Sequence, residues 1–491
     1  MKIVYALFAF IIAAYLYLIV SQTIFPFIDL PNHLAEATIY KFSSDINIQR
    51  VYQIESGINP NSFHYLFCSI FPSVELGNKI YYLLYCILLP FMTFIIIRHL
   101  GGNWKFSFLS LLLIFNYNVS FGFAGFTMVI PFVLLTFYLL CIDKHWSRLV
   151  VALLLMLLFS IHILGLLFSL FLISVLSFFQ SKNIRSFLSR IWVVLPAFIM
   201  MVLWYGRTFT PEQSTFSFMI DYYRTSFVQE FYLRSKLMVF DNFVLFAGYT
   251  GVIVALVFSL LIIVPVLLQL AKKKSLWQNT LLFVKENKES ASLCMVSFIC
   301  FFFLPDKLPG QGILYQRFSV FFLVSFIIAG SILYRHHLST SFQLIGFIFV
   351  ISHFVLWADY LSEFDRKNTS FTPDLFSQVP RNEPMGGVII DFNYRGRPVY
   401  IHFPSYNIVW NKGITTTKII DYRFGAIRRK VTLSSLPEYQ EWIGIENKIP
   451  EEYGNINYLL IKGEVNDMPA DAIQIAGDMN WKMMRMYEAN D

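Results

Sequence analysis

About eleven apolar runs, with Lys and Arg gathered in alternate connections between them, leave this chain few folds to choose from. Crossing the ~30 Å hydrocarbon core of a bilayer takes about 20 apolar residues in a helix, and fewer where the bilayer thins or the helix is buried in a bundle. Such runs are expected near 3–24, 77–98, 105–118, 124–142, 148–162, 163–180, 190–206, 245–270, 291–304, 313–333 and 340–358, with 148–180 also readable as one kinked element. Only 14 % of the 491 residues are charged. A soluble chain carries about a quarter, so the pattern belongs to a polytopic α-helical membrane protein. The net charge of +7 could otherwise point to nucleic acid. Here the cations outside the C-terminal region lie mostly in short loops between apolar runs, where they set topology, and no nucleic-acid partner is read.

Those loops predict an orientation. With a cytoplasmic N-terminus, the inner loops hold Arg98 and Lys105, then Lys144 and Arg148, then Lys182, Arg185 and Arg190. Lys272 to Lys274, Lys285 and Lys288 follow, and then Arg335 beside His336 and His337. The short outer connections near 119–123 and 162–163 carry no Lys or Arg, as the positive-inside rule asks. The outer side then receives 25–76, 207–244 and everything after about 360. Lys2 followed by apolar residues to Val20 resembles a signal peptide, yet it is too long and lacks an A-x-A site, so a retained first helix is expected. The five cysteines, 68, 86, 141, 294 and 300, form no C-x-x-C pair and read as buried structural thiols.

Residues 1–362 therefore read as a transmembrane bundle with a long first outer loop, 25–76. Residues 363–491 read as an extracytoplasmic soluble domain, which holds 17 of the 31 acidic residues. Gly387 to Asn393 and Tyr458 to Gly463 have strand composition. Ser435 to Glu438 has the form of a capping box opening a helix to about Glu446. Mixed signals of this kind predict an α/β or α+β domain.

Candidate chemistry gathers on the outer side. The first loop begins Asp29-Leu30-Pro31-Asn32-His33, where Pro31 favours a helix start over 32–42, and a second segment near 45–56 precedes Asn59-Pro60-Asn61. A carboxylate at the bilayer edge is costly unless paired or solvated, and it suits a general base that takes a proton from an acceptor hydroxyl. Asp29 could equally be the cap of the helix that follows. His33, one turn on, could assist Asp29, bind a diphosphate, or be held by the loop. Asp29 and Glu36 could hold a divalent cation, but two carboxylates are too few to assign a metal. Arg317 lies at the outer end of a span, in Gly310 to Phe318, where a guanidinium can clamp a lipid phosphate bidentately or snorkel to the headgroups. Lys307 could share either role. His162 and Asn118 fall at outward turns of the same expected height. Arg207, Tyr222, Tyr223 and Arg224 are further candidates for sugar or phosphate contact.

With these residues in hand, the chain resembles the GT-C superfamily of polyprenyl-phosphate-sugar-dependent glycosyltransferases. That group includes protein O-mannosyltransferases, the aminoarabinose transferases of lipid A and many uncharacterised bacterial relatives. The likeness lies in Asp29-Leu-Pro-Asn-His33, Asn59-Pro-Asn61, Asn116-Tyr-Asn118 to Gly122-Phe123, and Gln316-Arg317-Phe318, over an architecture covering most of 1–360. The resemblance implies inverting sugar transfer, with Asp29 as base and Arg317 on the donor phosphate. The chain departs from better-known members in two ways. Residues 119–123 carry no carboxylate, and no sequon-recognition motif is present. Metal dependence and a protein acceptor are therefore not carried over.

The expected function is transfer of a hexose or pentose from an undecaprenyl-phosphate donor to an extracytoplasmic glycan or lipid, in a bacterial inner membrane, with membrane lipids as further partners. The alternative is a non-enzymatic transporter or flippase for a lipid-linked saccharide. That reading asks for ionisable residues or Gly/Pro breaks at mid-membrane, arranged in repeated halves; here the ionisable residues keep to the ends of the spans and no repeat is visible, which counts against transport.

Overall fold

The computed structural model describes residues 2–57, 59–208, 223, 227–238, 242, 249–271, 276–307, 312–336, 338–416, 425–430, 447–466 and 468–486. Tyr222, Arg224, Lys272 to Lys274, His337 and the helix expected over Ser435 to Glu446 lie outside the described residues. The chain forms two compact units. One comprises Met1–Tyr17, Leu83–Val119 and Gly125–Trp357, and the other comprises Leu18–Tyr82, Ser120–Ala124 and Ala358–Asp491.

Among the described residues, six helices are long and apolar enough to cross a membrane: Val74–His99, Ala124–Ile142, Ile163–Gln180, Ile184–Arg207, Tyr315–Leu333 and Thr340–Lys367. Shorter apolar helices cover Ala6–Ser21, His145–Ile161 and Leu256–Leu270. The protein is an integral membrane protein. Length alone does not recover all eleven expected runs, because some of them are broken. Residues 105–118 hold a 3₁₀ helix, Trp104–Leu113, and then a five-residue α-helix, Tyr117–Phe121. At ~2 Å per residue the 3₁₀ segment covers only about 20 Å. The stretch 148–180 breaks at His162, whose backbone is extended (φ −168°, ψ 128°) between the helices His145–Ile161 and Ile163–Gln180.

Within the first unit, packing relies on aromatic stacks and small residues. Phe168 stacks on Phe321 at 4.4 Å between centroids, and Phe115 on Trp357 at 4.5 Å. A Cβ on Gly165 would collide with Val129, so this glycine lets two helices approach closely. Hydroxyls donate back to their own helices, as Ser292 does to the Lys288 carbonyl at 2.7 Å, which satisfies them without water.

The second unit carries the sheets. Strand β1 (Tyr52–Ile54) comes from the first loop, and the rest follow Ala358: β2 (Pro384–Ile389), β3 (Ile414–Thr415), β4 (Ile427–Arg429), β5 (Tyr458–Lys462), β6 (Ile473–Gly477) and β7 (Lys482–Arg485). A five-stranded sheet runs β3-β2-β5-β7-β6, and β1 pairs separately with β4. Strand β2 is parallel to β3 and β5, whereas β7 is antiparallel to β5 and β6. Val388, Leu459, Ile461 and Met484 form its core with Tyr453 and Ile456. The observed β2 starts three residues before the expected Gly387. Pairing on both edges outweighs the low strand propensity of Pro-Met-Gly-Gly.

Candidate active site

In the second unit, Asp29 occupies the N-cap position of the helix Leu30–Lys41, with Pro31 in the first turn, but its side chain makes no capping hydrogen bond. The carboxylate instead meets the His402 ring, with Oδ1 lying 3.4 Å from Nε2. His402 is buried, while the Asp29 side chain is 22 % exposed.

The backbone around Asp29 is clamped. Its N–H donates to the Phe121 carbonyl at 2.9 Å, and the Ile28 N–H donates to that of Ser120 at 3.3 Å. This approach requires Gly122. Its φ is +77°, and a Cβ there would lie 2.7 Å from the Leu30 nitrogen and 2.9 Å from that of Asp29. Arg397 secures the same segment, donating to Ser120 Oγ at 3.0 Å with its guanidinium over the Phe121 ring. A tight turn presents Arg397. Arg395 and Gly396 both have positive φ, and Tyr394 and Arg397 exchange backbone hydrogen bonds across them. Arg395 itself pairs with Asp359 and Glu363.

His33 lies one turn along the same helix. Its Nδ1 lies 3.1 Å from Glu36 Oε2, and its backbone N–H reaches the Asp29 carbonyl at 3.3 Å. The ring also packs edge-on against buried His64, whose Nε2 is 3.0 Å from Asn78 Oδ1. Among the described residues, no three His, Cys, Asp or Glu side chains group as a metal site.

In the first unit, Asn118, His162 and Arg317 come together. Asn118 Nδ2 donates to the Arg317 carbonyl at 3.0 Å, Arg317 Nη1 lies 3.1 Å from His162 Nε2, and Arg317 Nε donates to the Ile313 carbonyl at 2.9 Å. His162 Nδ1 also lies 3.2 Å from the Leu164 N–H. A neutral imidazole has one acceptor nitrogen, so it can serve Leu164 or Arg317, not both. Ile313 holds φ at +55°, a costly conformation for a β-branched residue. The segment is braced from beneath by buried Arg234. Its guanidinium lies 3.8 Å over the Tyr315 ring and donates to the Phe301 and Leu304 carbonyls. Lys307 is exposed, with its stem beside Gly312. Arg207 ends its helix exposed, and Arg224 lies outside the described residues.

Sequence reasoning missed His402, Arg397 and Arg234. In Tyr400-Ile401-His402-Phe403-Pro404, aromatic and proline neighbours mark a turn, and no spacing ties that turn to residue 29.

No family model and no curated protein sequence matches the chain. Its fold is similar to the crystal structure of ArnT from Cupriavidus metallidurans in the apo state, with a TM-score of 0.55 and 10 % identity over 99 % of both chains. At that identity the likeness bears on fold alone. The fold is GT-C-like: a polytopic helical membrane body with a sheet-bearing C-terminal region.

Proposed function

We propose that the chain is a membrane glycosyltransferase of the GT-C type. It moves a hexose or pentose from a polyprenyl-phosphate donor to an extracytoplasmic glycan or lipid acceptor, with inversion. The observation that carries this reading is the Asp29 carboxylate, placed at a helix start yet not used as its cap, on a backbone clamped by Phe121 and Gly122. Asp29 takes the proton of the acceptor hydroxyl. The acceptor oxygen forms its bond to the anomeric carbon on the face opposite the phosphate, and the old carbon–oxygen bond breaks with its electron pair leaving on the polyprenyl phosphate. The phosphate is already a good leaving group, so positioning and charge stabilisation suffice without a covalent enzyme intermediate. We assign the donor phosphate to Arg317, with His162 and Asn118 holding its guanidinium and backbone. Lys307 and Arg224 are assigned to outer substrate contact, and His33 to a supporting role beside Asp29. The membrane is the bacterial inner membrane, with the N-terminus cytoplasmic and residues 363–491 outside.

The test uses membranes containing the chain, supplied in turn with undecaprenyl-phosphate-linked hexoses and pentoses, and reads released undecaprenyl phosphate. Asp29→Asn is expected to lower release by about 10²–10⁴-fold at unchanged abundance, the usual range for a general base. Full activity in that variant removes Asp29 from the chemistry. Release no greater than in membranes lacking the chain, for every donor, ends the transferase reading.

A further inference from the structure

His402 comes from far down the chain, yet it is the side chain that meets Asp29, and the contact is built from several directions. The short 3₁₀ turn Phe403–Ser405 follows His402, and two polar contacts register it against the first turn of the helix Leu30–Lys41. His402 Nε2 lies against Asp29 Oδ1, and Ser405 Oγ donates to Asn32 Oδ1 at 2.5 Å. Both partners are spaced by three residues, 29 to 32 on one side and 402 to 405 on the other. One helical turn therefore matches one 3₁₀ turn. Asn32 and Ser405 are fully buried, so this docking is interior and leaves little freedom for side-chain drift.

The turn is equally fixed from behind. Phe403 stacks on Trp481, with centroids 5.5 Å apart and planes 12° from parallel, and it packs edge-on against Tyr400. Pro404 lies where a side chain on Gly387 of β2 would collide, so strand and turn are in direct contact. The Phe403 and Ser405 N–H groups donate to the Tyr400 and His402 carbonyls at 3.0 Å each. The buried ring turns Nε2 to the carboxylate of Asp29, which remains part exposed and open to a further partner.

We propose that His402 is the positioning residue of Asp29, an inference that rests on the transferase reading above. With its proton on Nε2, the ring donates toward Oδ1 and fixes the rotation of the carboxylate. Oδ2 is then the oxygen that receives the proton of the acceptor hydroxyl. Separations of this size in a resting site commonly tighten when substrate binds. Arg397 acts on the backbone instead, holding Ser120, whose carbonyl and that of Phe121 take the Ile28 and Asp29 N–H groups, so one stretch of about ten residues bears on both the backbone and the side chain of Asp29.

Two arms test the proposal. The first needs no substrate: thermal unfolding midpoints of the full chain in detergent for wild type, Asp29→Asn, His402→Ala and the double variant. Coupled side chains give a double variant that falls no further than the lower single variant. Strict additivity of the two shifts overturns the proposal whether or not any donor is turned over.

The second arm uses whichever undecaprenyl-phosphate sugar the wild type consumes. His402→Ala is expected to lower kcat by about 10- to 100-fold, the scale of a misplaced catalytic group, with donor KM within about threefold. His402→Gln keeps an N–H in reach of Oδ1 and is expected to recover most of the loss. A kcat within twofold of wild type in His402→Ala overturns the proposal. So does an equal kcat loss in His402→Gln and His402→Ala at normal abundance. Failure of the transferase reading is separately visible, as absence of turnover in the wild type.

Discussion

His64 is the residue at which burial has the plainest energetic consequence. Burial first, and then the neighbouring His33, push its imidazole down from the ordinary 6.5 to about 3, against the opposing hydrogen bond that the ring donates to Asn78 Oδ1. Below the ordinary value the unfolded chain takes up a proton that the folded chain refuses. Stability that is complete above about pH 6.5 is therefore lost as pH falls toward 3, by on the order of 1.4 kcal/mol per pH unit for this group alone. Unfolding midpoints of detergent-solubilised chain between pH 7 and pH 4 are expected to fall more steeply for wild type than for His64→Gln. Parallel slopes would show that His64 does not set the acid limit. At this scale the sequence was half legible. Asp29 stood out because a carboxylate beside Pro31, just past an apolar run, needs an explanation. His402 did not, because its chemistry exists only through a partner 373 residues away.

Among elements, the junction Ser120 to Ala124, from the end of one helix to the start of the next, does the most with the fewest atoms. Its carbonyls hold the backbone of Ile28 and Asp29, and the atoms facing Gly122 are backbone atoms that cannot swing aside. Gly122→Ala combines a positive-φ penalty with a collision. It is expected to cost about 1–3 kcal/mol of stability and to depress donor turnover beyond what the loss of folded protein explains. The check is turnover per folded molecule, with Gly206→Ala as the comparison, since open space surrounds that glycine. Equal turnover per folded molecule in the two variants would refute a link between the junction and Asp29. Elements with regular periodicity were readable beforehand. The helix expected over 32–42 forms as Leu30–Lys41, and the strand expected from Tyr458 forms as β5. The 3₁₀ segment Trp104–Leu113 was not readable, because an apolar run has the same composition whether its hydrogen bonds span three residues or four.

For the whole molecule, the informative fact is the make-up of the second unit. The part after Ala358 is packed with Leu18–Tyr82 as one body, through β1 with β4, Ser405 with Asn32, and Trp410 donating to Glu75 at 2.9 Å. The proposed outer domain 363–491 is accordingly expected to need the first loop. Expressed alone, it should be digested by a low dose of protease well before the intact chain, and joined by a linker to 18–82 it should resist for longer. Equal resistance with and without 18–82 would make the later segment self-sufficient. Charge alternation assigned 25–76 and the residues after about 360 to one side of the membrane, but it carries no information about which segments touch. Only tertiary contacts supply that.

The β1–β4 pairing also sets a timetable. Tyr52 cannot meet Arg429 until nearly four hundred further residues have left the ribosome. At ~5–20 residues per second, that delay is on the order of tens of seconds. Throughout this interval the N-terminal strand has an open edge and Asp29 lacks its histidine. Closure of this strand pair is thus a late event of synthesis, open to the chain only once Arg429 has emerged.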